Sequence, residues 1–120
     1  MLDGKNIELK QRDLVIVLFP FSDFSEFKKR PAIVLSGSDY NVDNDDVLVC
    51  GITSKLDSHK LGVLIKNCHL DSGNLEVNSE IRIDKLLLVN KQRVYFKLGT
   101  LNVQKYSEVY NKILNLISPK

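Results

Sequence analysis

Apolar and polar positions fall in blocks along this chain, and most blocks are short and bounded by turn residues. Residues 14–19 form a six-residue apolar run rich in β-branched side chains, which predicts a buried strand. Pro20 stops it. A long polar loop reaches to Arg30 and carries Phe21, Phe24 and Phe27; long loops often carry function. Pro31 opens the second strand, where a missing N–H costs least, and residues 32–36 continue it. Residues 37–46 are turn chemistry, dominated by Gly, Ser, Asp and Asn. Residues 47–53 read as a third strand, in which Gly51 predicts a bulge or a close backbone approach. A fourth short strand spans 61–66, and residues 71–74 mark another turn.

Residues 80–84 alternate strictly. Ile81 and Ile83 point one way; Glu80, Arg82 and Asp84 point the other. Residues 86–89 and 92–98 are further strands, joined at Asn90-Lys91. The period then changes. Val103, Tyr106, Tyr110, Ile113, Leu114 and Ile117 recur at helical spacing, with Asn102 as N-cap and Pro119 beyond the end. Six or seven short strands followed by one amphipathic helix predict a mainly β fold: a compact antiparallel barrel with the carboxyl-terminal helix, 102–117, packed against it.

The length of 120 residues suits one domain over 1–120, with 1–11 as a loosely ordered leader. A net charge of +2 does not mark a nucleic-acid binder by bulk charge, but phosphate contact depends on where the charges sit. Cys50 lies inside an apolar run and reads as a buried thiol; neither it nor Cys68 belongs to a Cys-x-x-Cys pair. Both suit a reducing compartment. No segment has the length of a membrane span and the amino terminus has no signal core, so a cytoplasmic protein without membrane contact is expected. His59 and His69 lack partners at ligand spacing, so neither a metal site nor a cofactor is expected.

Several motifs in order resemble the MazF/PemK toxins of bacterial toxin–antitoxin systems: residues 13–21 (DLVIVLFPF), 30–36 (RPAIVLS), 51–54 (GITS), 79–84 (SEIRID), 89–93 (VNKQR) and 98–101 (LGTL). The resemblance implies an SH3-like barrel of the PemK/CcdB kind, forming a homodimer. It implies a sequence-specific, metal-independent endonuclease of single-stranded RNA, silenced by an antitoxin with an acidic, partly disordered segment. In one branch of the family the catalytic arginine and threonine match Arg30 and Thr53. In another an Arg-x-Asp pair matches Arg82 and Asp84, but the histidine that branch uses in the first loop is absent here. Two further departures stand out. Arg12 occupies the family's usual glycine before the first strand, and Lys85-Leu86-Leu87-Leu88 replaces a Gln-Ile-Arg-Thr segment.

Metal-free RNA cleavage uses the substrate's own 2′-hydroxyl as nucleophile on the adjacent phosphorus, with the 5′-oxygen leaving. Arginine suits the phosphate, because its planar fork holds two oxygens and stays charged. Arg30 is therefore read as the clamp, and Thr53 as a hydrogen-bonding partner of phosphate or 2′-hydroxyl. Asp84, oriented by Arg82, is the conventional base. Phe24 and Phe27 offer rings for base stacking, and Lys28, Lys29, Ser54 and Lys85 complete the expected RNA contacts. From spacing alone, Arg30 equally reads as a solvated loop residue, Thr53 as an ordinary strand residue and Arg82–Asp84 as a surface ion pair. Two competing functions stay open: a non-catalytic barrel binding RNA or antitoxin, and a gyrase poison of the same fold. The latter lacks support in a chain without tryptophan that ends Ile-Ser-Pro-Lys.

Overall fold

Hydrophobic blocks become paired strands. The structure is a computed structural model that describes residues 7–20, 25–56 and 61–120. β1 (Asp13–Pro20), β2 (Phe27–Val34), β3 (Asp46–Thr53), β4 (Gly62–Ile65), β5 (Leu70–Gly73), β6 (Ser79–Asn90) and β7 (Val94–Leu101) form one antiparallel sheet in the order β4-β6-β3-β2-β1-β7-β5. A six-residue helix, α1 (Ser38–Asp43), links β2 to β3, and α2 (Val103–Ile117) closes the fold. The fold is mainly β with a carboxyl-terminal helix, as expected. The sheet is not closed, however: β4 and β5 are its two ends, and no ladder joins them among the described residues.

Both faces of the central strands are covered, which is why they read as continuous apolar runs. One cluster holds Leu14, Ile33, Cys50, Ile52, Ile81 and Leu101 with Val109 of α2. The other holds Val15, Val17, Ala32, Val34, Val47 and Val49. Helix α2 starts where its N-cap predicts: the Asn102 side chain accepts a hydrogen bond from the Lys105 N–H at 2.8 Å. Leu9, within the stretch read as a loose leader, is buried in the second cluster. The Asn41 side-chain amide of α1 donates to its carbonyl at 3.1 Å.

Other boundaries move for tertiary reasons. Pro31 does not open β2. The β1–β2 ladder runs seven rungs to Pro20↔Phe27, so Pro31 sits mid-strand opposite Ile16. The ladder to β3 ends at Ala32, one residue short of Pro31, which has no N–H to extend it. α1 forms inside the stretch read as a turn. Residues 71–73, also read as turn, belong to the edge strand β5. There Gly73 lies at φ +89, and a Cβ on it would stand 2.1 Å from the Leu98 carbonyl oxygen. Residues 80–84 and 86–89 are one strand, β6, with the register shift at Gly51 of β3 that a strand glycine predicts.

Arg12 has φ 78, left-handed backbone that a glycine adopts without strain. Its guanidinium offsets the cost by donating to the Leu101 carbonyl at 2.6 Å and to Asp71 at 3.1 Å.

Candidate functional site

The site is built where β2 and β3 separate. Arg30 pairs with Val17 of β1. On the other side, the β2–β3 register ends at Ala32↔Gly51; two residues further along each strand stand Arg30 and Thr53, on one face. Thr53 pairs in turn with Glu80 of β6. Thr53 and Glu80 are therefore direct cross-strand neighbours, with Cβ atoms roughly 5 Å apart, and Arg30 stands on β2 just beyond its last rung with β3.

Arg30 and Thr53 line one open cleft of about 480 Å³. Lys28, Lys29, Pro31, Ile16, Ile52, Ser54 and Ser79 also line it. Residues 74–77 complete the lining and contribute one acidic side chain, Glu76. The Thr53 hydroxyl oxygen accepts the Lys55 N–H at 3.1 Å, which leaves its own proton to donate outward. A phosphate oxygen in the cleft would supply the acceptor.

Glu80 escaped the sequence reading. Alternation marked it as outward-facing, yet it is only 6% exposed. Its Oε1 has no hydrogen-bond partner among the described residues. Buried carboxylate oxygens are nearly always satisfied, so an exception calls for an explanation. Ser79 and the segment 74–77 were also missed, because nothing local in the sequence sets them beside Thr53.

The remaining expected residues divide. Lys28, Lys29 and Ser54 are on the cleft. Phe27 is exposed on the neighbouring rung of β2. Phe24 and His59 lie outside the described residues. Lys85 is at the β6 bend, with its Cβ facing Gly51, and does not line the cleft. Arg82 and Asp84 do not line it either. The Arg82 guanidinium grips Asp84 with two bonds, Nε to Oδ1 at 3.2 Å and Nη2 to Oδ2 at 3.0 Å. Cys50 is no nucleophile: burial, reinforced by the Asp84 carboxylate, pushes its thiol up to about 12. Among the described residues no cluster of His, Cys, Asp and Glu could hold a metal ion, and no helix is long and apolar enough to cross a membrane.

A curled antiparallel sheet backed by one helix, with a basic, hydroxyl-bearing cleft at a strand end, defines a small β fold of the PemK/MazF kind. The chain belongs to the PemK-like, MazF-like toxins of type II toxin–antitoxin systems, whose family model matches residues 10–117. Its fold is similar to that of MazF from Deinococcus radiodurans, at TM-score 0.76 and 21% identity over 95% of this chain and 100% of that one. The MazE–MazF complex from the same organism gives 0.73 and 21% over 95% and 100%. An endoribonuclease in complex with its cognate antitoxin from a mycobacterial species gives 0.72 and 13% over 92% and 97%. None of the curated proteins matches the chain.

Proposed function

We propose that this toxin is a sequence-specific, metal-independent endonuclease of single-stranded RNA. The observation that carries the reading is that Arg30 and Thr53 both line one basic cleft. In this reading the 2′-hydroxyl attacks the adjacent phosphorus, its proton passes by way of a non-bridging phosphate oxygen to the departing 5′-oxygen, and a 2′,3′-cyclic phosphate and a 5′-hydroxyl result. Arg30 clamps the phosphate oxygens as negative charge builds on them. Thr53, its oxygen already engaged by Lys55, donates its proton to one of those oxygens. Lys28 and Lys29 hold the neighbouring phosphates. Arg82 and Asp84, bound to each other and not among the cleft's lining residues, take no direct part in this reading.

The toxin acts in the cytoplasm as a homodimer and is silenced by an antitoxin. Two similar structures are complexes with antitoxins, which supports that partner. Its contact segment is acidic and partly disordered, ordering as it covers the cleft.

The test is incubation of the purified protein with a long single-stranded transcript in EDTA. Discrete cuts that disappear on Arg30→Ala are expected. A folded protein that leaves every transcript intact, while retaining it on a filter, would establish the non-catalytic alternative instead.

A further inference from the structure

Beyond the cleft, the sheet face made by β2, β1 and β7 carries rings and cations at regular intervals. Ile16, Leu18 and Pro20 alternate onto that face of β1, and their β2 partners are Pro31, Lys29 and Phe27. β7 and Arg93 just before it add an aromatic or cationic group at each level. Phe96 pairs with Ile16 and is 52% exposed. The Lys29 ammonium sits 4.5 Å from the centre of the Tyr95 ring. The Arg93 guanidinium sits 4.8 Å from the centre of the Phe27 ring, and Phe27 is 44% exposed. Tyr95 reaches Lys29 because the β1–β7 register shifts between Ile16 and Val17, which inserts it between Val94 and Phe96. Successive levels are two strand residues, about 7 Å, apart. One extended nucleotide spans such a step.

We propose that this face is a second subsite for single-stranded RNA, binding the nucleotides that flank the one held at Arg30 and Thr53. The inference rests on the nuclease reading and extends it. Continuity carries it: Ile16, Lys29 and Pro31 line the cleft and also form the first levels of the strip. Chemistry selects the ligand. Each base offers a flat face to a ring, whatever its identity, and the levels of Tyr95 and Phe27 each add a cation for a phosphate. An acidic peptide would be gripped by the cations but would gain little from ring faces set at nucleotide intervals.

The experiment measures affinity for 2′-O-methyl oligonucleotides of mixed sequence, which lack the attacking hydroxyl. Two lengths are compared, about 5 and about 15 nucleotides, within the range of single-strand sites. Phe96→Leu and Tyr95→Leu keep apolar area but remove the stacking surface. Each should weaken binding of the longer strand by roughly fivefold or more, the lower end of base stacking, and leave the shorter strand unchanged. Arg93→Ala should lower the salt slope for the longer strand by about one. Thermal melts confirm that each variant folds.

Equal affinity of wild type and the leucine variants for the longer strand would overturn the proposal. So would the absence of any binding, or a shift of Phe96→Leu to a smaller oligomer in sedimentation, which would make the strip a contact between copies. The two readings fail separately. A protein that binds long strands through the strip but cuts no transcript refutes the nuclease and keeps the subsite; one that cuts, with strip variants binding like wild type, does the reverse.

Discussion

Two acidic residues four positions apart on β6 meet opposite fates. Asp84 is partly exposed, and both its oxygens accept bonds from Arg82. Glu80 is buried, and one of its oxygens accepts none from the described residues. The first is a surface pair worth ~0–1 kcal/mol, in which each carboxylate oxygen has a partner. The second carries a desolvation penalty of ~1–3 kcal/mol that the fold does not relieve. It does so in the row that holds Thr53 and, beyond it, Arg30. Satisfied polar groups mark scaffold; the unsatisfied one stands next to Ser79, which lines the cleft.

The strongest way to break this contrast is to compare the two arginines. Arg30→Ala should lower the rate of RNA cleavage by roughly a hundredfold or more, the cost of losing a donor aimed at developing charge. Arg82→Ala should change it less than about threefold, since its partner is Asp84 alone. Single-turnover cleavage of a defined transcript gives both numbers. Equal losses would bring the Arg82–Asp84 pair back into the chemistry.

Thr53→Val comes next, with an expected loss of about tenfold in cleavage. It also removes the acceptor of the Lys55 N–H, which should cost ~1 kcal/mol of stability in urea unfolding. Thr53→Ser should restore both. A valine variant that loses stability but not activity would reduce Thr53 to a turn residue.

Glu80→Met and Asp84→Ala should differ in sign. Methionine fills a similar volume without a polar atom, so Glu80→Met should raise unfolding free energy by ~1–2 kcal/mol. Asp84→Ala should lower it by less than ~1 kcal/mol. If Glu80→Met also slows cleavage, the stability sacrificed at this position serves the site. Destabilisation by Glu80→Met would mean that the carboxylate helps to hold the fold.

How much of this could be read in the chain depends on what burial leaves behind. β1, β3 and α2 were legible because core packing imposes a period on their own residues. Gly51 announced its register shift, and residues 30–36 and 51–54 carried the pair on the cleft into view through their family pattern. β5 was not legible. It is a four-residue edge strand created by pairing with β7, and its Ser-Gly composition says turn. Glu80 was misread because alternation describes a strand by itself, whereas its cover comes from elsewhere in the fold. Phe96 and Tyr95 were passed over because their meaning lies in the rungs of β1 and β2, remote in sequence. Arg12 is the reverse case: its departure from glycine was visible, but only the backbone angle and its bonds to Leu101 and Asp71 explain how arginine is tolerated.

The smallest expected effect tests the satisfied side with a proton. The His69 Nδ1 accepts the Lys66 N–H at 2.9 Å, so this imidazole is bound as a neutral group. Burial lowers its pKa from the ordinary value of 6.5, the Lys105 and Lys66 cations lower it further, and Glu108 opposes them. The unfolded chain therefore takes up this proton first as pH falls. The stability linked to His69 is complete above pH 6.5 and is lost between that value and the lower folded one. Thermal melts at pH 8 and pH 5 should show wild type losing more than His69→Gln, whose amide oxygen can still accept a bond but does not titrate. Equal losses would mean that the Lys66 contact does not discriminate between protonation states.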